Sequence, residues 1–354
     1  MRLLFYTKYT RMAASSRLRS FQYFSLLQQN GCTIVALPLF NDQYLQELYE
    51  KKKISKLNIT KQYYKRFLSL FSIAKYDLII IEKELFPYFP AFFERILNFL
   101  KIKYVADYDD AIFHNYEKNS NFFIRLFLKK KIDMVMRCSS LTCVGNDFLQ
   151  LRATKAGAKK ILLLPTVIDN NKYKKKDFNY SEKLVIGWIG TPITLKYLKD
   201  LTDVFAGLSS KYKFKIHIVG GKNSIGLPDI EEIIEWSEEN EVAEIRKFDI
   251  GIMPLKNTDW EKGKCAYKLI QCMACGVAVI ASSVGANSSV IKNAYNGYLA
   301  DTKKEWYEKL EILLTNKNLR ENFGEKGYCT VMKEYTLQAV FNHYLSSLIS
   351  TSNS

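Results

Sequence analysis

In the run KLIQCMACGVAVIAS, Lys268–Ser282, a helix, a glycine stop and a strand follow one another with no residue to spare. Ala266, Leu269, Ile270 and Met273 recur at helical spacing, and Gly276 ends the run. Val277–Ala281 is continuously apolar, as a strand buried on both faces must be. Such a unit belongs in an α/β fold with a parallel sheet. The polar stretch before it carries Lys262, Gly263 and Lys264. A helix opening at Gly263–Lys264 would present unpaired N–H groups and a positive dipole end to an anion. Lys264, Cys265 and Lys268 lie at that end, which makes it a phosphate site in outline.

The rest of the chain repeats the strand-then-helix rhythm. Leu3–Thr7, Thr33–Leu37, Asp77–Ile81, Tyr104–Ala106 and Leu141–Val144 read as strands of a first domain, and Ile161–Leu164 leads to its end. Ser15 or Ser16 is expected to cap a helix carrying Arg17, Arg19 and Phe21–Leu27. Residues 170–183 are polar, lysine-rich and without apolar period, so they read as a linker. Leu184–Trp188, Phe214–Val219 and Phe248–Met253 then supply strands of a second domain. Gly190-Thr191 and Gly220-Gly221 follow the first two of these, where ligands approach a parallel sheet. Residues 229–244 read as an acidic surface segment.

Charge is divided unevenly. Residues 1–182 hold 31 Lys and Arg against 16 Asp and Glu, a net of +15, whereas residues 183–354 hold 21 against 20, a net of +1. An acidic partner is therefore expected at the first half. Lys61–Lys75 (KQYYKRFLSLFSIAK) and residues 121–138 combine basic and aromatic residues, and either could lie on an anionic membrane. For Lys61–Lys75 the plainer reading is a helix that covers a sheet. The basic half contains no recognised nucleic-acid motif, so no nucleic acid is expected. The 7 cysteines are scattered and odd in number, which fits a reduced, cytoplasmic setting without a signal peptide, with peripheral attachment to the inner face of the cell membrane. Cys272 and Cys275 form a lone CxxC inside a helical pattern, and read as core residues rather than zinc ligands.

The run KLIQCMACGVAVIAS, together with the turn Asn296-Gly297 before Tyr298-Leu299, resembles the donor-site half of glycosyltransferase family 4, retaining enzymes of the GT-B fold. The resemblance implies two Rossmann-like domains facing a central cleft: acceptor-binding over 1–169, linker 170–183, nucleotide-sugar-binding over 184–335. A terminal helix, 336–354, would cross back to the first domain. It implies transfer of a sugar from a nucleotide-diphosphate sugar to an acceptor, with no metal and no resident cofactor. The acceptor expected from family habit and charge is a lipid-linked or surface-polysaccharide intermediate. Donor diphosphate contacts would come from Gly190, Thr191, Lys196, Gly263, Lys264, Cys265 and Lys268, and nucleoside contacts from Gly220, Gly221 and Gln271. Family members usually bracket the helix start with two glutamates; here Gly263 and Gln271 occupy those places, with Asp259 or Glu261 as substitutes for the first. In the first domain, Asp109, Asp110 and His114 are the candidates for the chemistry, and Arg17 and Arg19 for the acceptor side. Two other classes compete: a nucleotide-binding protein of this fold without turnover, and a basic nucleic-acid binder. Donor breakdown separates the first from an enzyme, and steep salt dependence on random duplex would mark the second.

Overall fold

The structure, a computed structural model, describes residues 1–50, 52, 55–177 and 183–354. The chain forms two units: 1–166 with 340–354, and 167–339.

In the first unit, six parallel strands lie in the order β2-β1-β3-β4-β5-β6. They are β1 (Arg2–Tyr6), β2 (Thr33–Ala36), β3 (Leu78–Glu82), β4 (Tyr104–Tyr108), β5 (Leu141–Val144) and β6 (Ile161–Leu163). The central strands β3 and β4 are buried along their whole length, which suits the apolar runs Leu78–Ile81 and Tyr104–Ala106. The second unit has its own parallel sheet in the order β12-β11-β10-β7-β8-β9. Its strands are β7 (Leu184–Ile189), β8 (Phe214–Val219), β9 (Glu231–Ile234), β10 (Ile250–Met253), β11 (Ala278–Ala281) and β12 (Tyr298–Leu299). The α/β fold with two parallel sheets is as the sequence led us to expect.

Several local expectations are corrected. The helix expected from Ser15 or Ser16 starts at Ala14, has no side-chain cap and ends at Arg19; Arg17 and Arg19 are in its last turn, not its first. Ser16 instead donates to Glu82 Oε2 at 2.7 Å. The helix expected over 121–138 is two, Phe122–Leu128 and Lys131–Cys138. Lys131 is buried, on Glu84 and the Phe86 carbonyl, while Lys129 and Lys130 are exposed. Residues 229–244 contain β9 and the start of the helix Glu241–Arg246 rather than a plain surface segment. Of the expected linker, 178–182 lie outside the described residues. The part before them is bound to the second unit: Tyr173 is buried, and Lys176 pairs with Asp249 at 3.0 Å.

Candidate functional site

In the second sheet the chain runs outward from β7 to β8 and β9, then returns to β10 on the other side of β7. The connections after β7 and β10 therefore leave in opposite directions, and the crevice between them at the strands' carboxyl ends is where open α/β sheets take ligands.

The loop after β7 is tight. The Gly190 N–H donates to the Val219 carbonyl at 3.0 Å, and the Thr194 hydroxyl accepts from the Thr191 N–H at 3.0 Å. A Cβ on Gly190 would fall within the Trp188 ring, so only glycine fits. Gly220, at φ +80°, sits equally close: a Cβ there would lie 2.4 Å from the Gly190 carbonyl oxygen. Gly221 follows it against Ile218 and Leu195. The expected Lys196 is exposed, with its ammonium 5.0 Å from the Tyr197 ring centroid.

The loop after β10 corrects the expected helix start. A short helix, Asp259–Lys262, comes first, and Gly263 ends it. The Gly263 and Lys264 N–H groups turn back to the Trp260 and Glu261 carbonyls at 3.2 and 3.1 Å, so they are not open to an anion. Ala266, buried at φ +53°, turns the chain into a second helix, Tyr267–Ala274. The Leu269 and Ile270 N–H groups return to the Ala266 carbonyl, so the open, positive end lies at Ala266–Lys268, three residues later than expected. Cys265 stands just before it, partly buried and not in a disulfide.

Lys268 is on that first turn. It is partly buried, its ammonium lies 5.5 Å from the Trp188 ring centroid, and no carboxylate forms an ion pair with it among the described residues. Burial, then the charge of Lys264, push its pKa down to about 7. A cation placed in such surroundings is stabilised by an arriving anion. Glu261, close by in sequence, is held as an anion: although burial opposes it, the Thr258 and Tyr197 hydroxyls donate to its carboxylate and keep its pKa below the usual range.

Gln271 is not at this rim. Its side chain is 2% exposed and donates to the Tyr173 hydroxyl at 2.5 Å. Tyr173 in turn donates to Glu241 at 2.9 Å, and its oxygen is 3.3 Å from that of Tyr267. The sequence alone could not show this chain, since Gln271 and Tyr173 are 98 positions apart.

The first unit holds the other expected residues. Arg19 is 2% exposed and grips Asp107 in a two-pronged pair, Nε–Oδ2 2.9 Å and Nη2–Oδ1 2.5 Å, while Nη1 donates to the Leu164 carbonyl. Arg17 is also buried, at 7%. Arg19 is thus committed to Asp107 and Leu164 within this unit rather than turned outward as the acceptor-side expectation had it. Asp109 pairs with Lys83 at 3.1 Å; although burial opposes it, Lys83 and then Arg19 hold its carboxyl below the usual range. Asp110 accepts from the Ala111 N–H, a loop-capping bond. His114 is buried, with Nδ1 3.3 Å from Glu117 on its own short helix. Sequence reasoning missed Glu82 and Lys83. Glu82 ends β3 and Lys83 follows it, at the reversal point of the first sheet, where β1 and β3 are neighbours. Burial raises the Glu82 pKa, and Lys83 is held at φ +68°, a conformation costly for a residue with a side chain.

Among the described residues no group of three or more His, Cys, Asp and Glu could hold a metal ion, and no helix is long and apolar enough to cross a membrane.

Residues 169–330 match the family described as glycosyl transferases, group 1. The N-acetyl-alpha-D-glucosaminyl L-malate synthase of Bacillus anthracis is 24% identical over 206 residues, 52% of each chain. The capsular polysaccharide biosynthesis glycosyltransferase CapM of Staphylococcus aureus is 23% identical over 193 residues, 52% of this chain and 50% of its own. The chain thus spans about half the length of the curated relatives it matches. HepE of Anabaena, solved with UDP and glucose, superposes with a TM-score of 0.69 over 99% of this chain and 100% of its own. At 14% identity that likeness shows the fold alone.

Proposed function

We propose that the chain, whose residues 169–330 match the group 1 glycosyl transferases, moves a sugar from a nucleoside-diphosphate sugar to an acceptor with retention at the anomeric carbon. The observation that carries this is Lys268, a partly buried ammonium with no ion-pair carboxylate among the described residues, on the first turn of the helix Tyr267–Ala274. The dipole end, Lys264 and Lys268 together neutralise the diphosphate as it departs, which is where charge develops in such a transfer. Positive charge from the protein does this work, so the proposal assigns no metal and no resident cofactor. The relatives' names, a malate-modifying synthase and a capsular polysaccharide enzyme, support a hydroxylated acceptor. A glycan or lipid-linked glycan fits the basic first half best.

The test is a thermal-shift panel of UDP, GDP, ADP, CMP and NAD. One nucleoside diphosphate should raise the melting temperature by mass action. Stabilisation by NAD alone, or by none of them, would remove the proposal.

A membrane surface is proposed as the acceptor's source. Between Ser55 and Tyr76, and between Lys118 and Lys131, there is no Asp or Glu. Phe71 is 77% exposed on the first of these stretches and Phe127 71% on the second, beside exposed Lys61, Lys65, Lys75, Lys129 and Lys130. Exposed rings beside lysines, on stretches that carry no Asp or Glu, suit anionic lipid headgroups over acyl chains. The protein should co-sediment with vesicles containing phosphatidylglycerol and not with phosphatidylcholine alone. Phe71→Ser with Phe127→Ser should weaken binding about tenfold or more, since each buried ring contributes roughly 1.5–3 kcal/mol. Equal binding by wild type and the double variant would refute this surface.

A further inference from the structure

Glu117, Lys129, Lys130, Asp133, Arg152 and Lys155 line a cleft of about 370 Å³ in the first unit. Consecutive helices supply them. Glu117 ends the helix His114–Glu117, and Lys129 and Lys130 make the turn between Phe122–Leu128 and Lys131–Cys138. Asp133 is on the latter helix, and Arg152 and Lys155 are on Asp147–Ala156. The proposed donor site lies wholly in the second unit, so it makes no use of this cleft.

Both carboxylates of the cleft are already committed. Arg152 Nε donates to Asp133 Oδ1 at 2.7 Å, and Nη2 donates to Asp133 Oδ2 at 3.1 Å and to Glu117 Oε1. The guanidinium carbon lies 4.3 Å from the Phe113 ring centroid, so one flat face is held as well. Two carboxylates and a ring thus fix the group in place. Nη1 takes no part in this, and has no hydrogen bond among the described residues. Lys129, Lys130 and Lys155 are exposed and form no ion pair among the described residues. Three ammonium groups and one edge of a guanidinium therefore share a cleft whose acids are spent on the guanidinium. Like charges so placed raise the energy of the empty protein, and an arriving anion relieves it.

A carboxylate would offset only one of these charges. A phosphomonoester carries about −1.5 to −2 near neutral pH and offers three acceptor oxygens. A fixed guanidinium edge beside ammonium groups on flexible stems is the donor set such oxygens take. The cleft has the size of a small-ligand pocket, so it accommodates the phosphate with part of the molecule that carries it. We propose that this cleft is a binding site for a phosphomonoester group. Two sources share that chemistry: a soluble phosphate ester, and the headgroup of a lipid of the phosphatidic acid type. Phe127, 71% exposed, precedes Lys129 by two residues, so an apolar ring stands close to the turn that carries the lysines.

The experiment pairs two readouts on the full chain. One is calorimetric titration with glycerol 3-phosphate, with glycerol as the uncharged comparison. The other is co-sedimentation with phosphatidylcholine vesicles carrying equal shares of phosphatidic acid, a monoester, or phosphatidylglycerol, a diester. Wild type is compared with three variants. The first changes Lys129, Lys130 and Lys155 together to Gln. The second changes Lys101, Lys159 and Lys160 to Gln, which removes three exposed lysines outside the cleft. The third is Lys268→Ala. Wild type should bind glycerol 3-phosphate but not glycerol, or prefer phosphatidic acid to phosphatidylglycerol. The cleft variant should lose about tenfold or more of that affinity, and the other two should keep it. A preference for phosphatidic acid assigns the group to a lipid; binding of the soluble ester without that preference assigns it to a free phosphate ester. Three results would overturn the inference. Wild type shows neither behaviour; or both lysine triples lose equally, which marks diffuse charge; or Lys268→Ala abolishes the binding, which places the phosphate at the donor site.

Discussion

Replacing Lys268 with alanine is expected to weaken nucleoside-diphosphate binding by roughly thirtyfold or more. Deleting one partner of a desolvated charge pair typically costs about 2–5 kcal/mol, and 1.4 kcal/mol is a factor of ten. The same residue should burden the free protein. Burial, then Lys264, lower its pKa from 10.5 to about 7, so between those values the folded chain binds fewer protons than the unfolded one. The destabilisation is complete below about pH 7 and fades as pH rises towards 10.5. Lys268→Met should therefore raise the melting temperature of the unliganded protein, more at pH 7 than at pH 9, while abolishing the gain in melting temperature from nucleotide. Nucleotide affinity of the wild type should fall as pH rises through about 7, because a neutral amine must then take up a proton to meet the diphosphate. A variant that lost binding without gaining stability would show that Lys268 is not strained in the empty site.

Arg19→Met is expected to destabilise the first unit by about 3–5 kcal/mol, the usual consequence of stranding a buried charge. Arg19 and Asp107 are 2% and 5% exposed, and burial already raises the Asp107 pKa against the pull of Arg19. Without the guanidinium, Asp107 and the Leu164 carbonyl lose their partner together. The paired change Arg19→Met with Asp107→Leu should recover much of the loss, since an apolar pair needs no compensation. Denaturant unfolding would read both effects. If Arg19→Met unfolds like wild type and loses only turnover, Arg19 contacts substrate and the acceptor-side assignment returns.

These two residues also mark how far sequence reading reaches. The helix that carries Lys268 was legible because its setting is local: a helical period closed by Gly276 and followed at once by a buried strand. The helix start was misplaced by three residues because the turn depends on Ala266 at φ +53°, which no residue preference announces. A glycine at Gly263 invites the break to be put there. Strand β9 was missed because an edge strand needs only one covered face, and Glu231 and Glu232 give it an acidic, surface-like composition. Arg19 and Gln271 looked available because both are polar residues near expected sites. What occupies them, Asp107 and Tyr173, lies 88 and 98 positions away and is brought in only by the fold.

The central claim is retaining sugar transfer from a nucleotide donor, and the most direct measurement follows the sugar itself. Purified protein would be incubated with α-linked UDP-glucose, UDP-N-acetylglucosamine, GDP-mannose and ADP-glucose, with water as the default acceptor. Proton NMR would record the anomeric signal of the released sugar before it mutarotates. The account predicts that one donor is consumed, that its nucleoside diphosphate appears in equal amount, that the first sugar signal is α, and that Lys268→Ala slows the reaction sharply. A first product of β configuration would contradict retention. Tight nucleotide binding with every donor left intact would contradict transfer and leave a nucleotide-binding protein on the same fold.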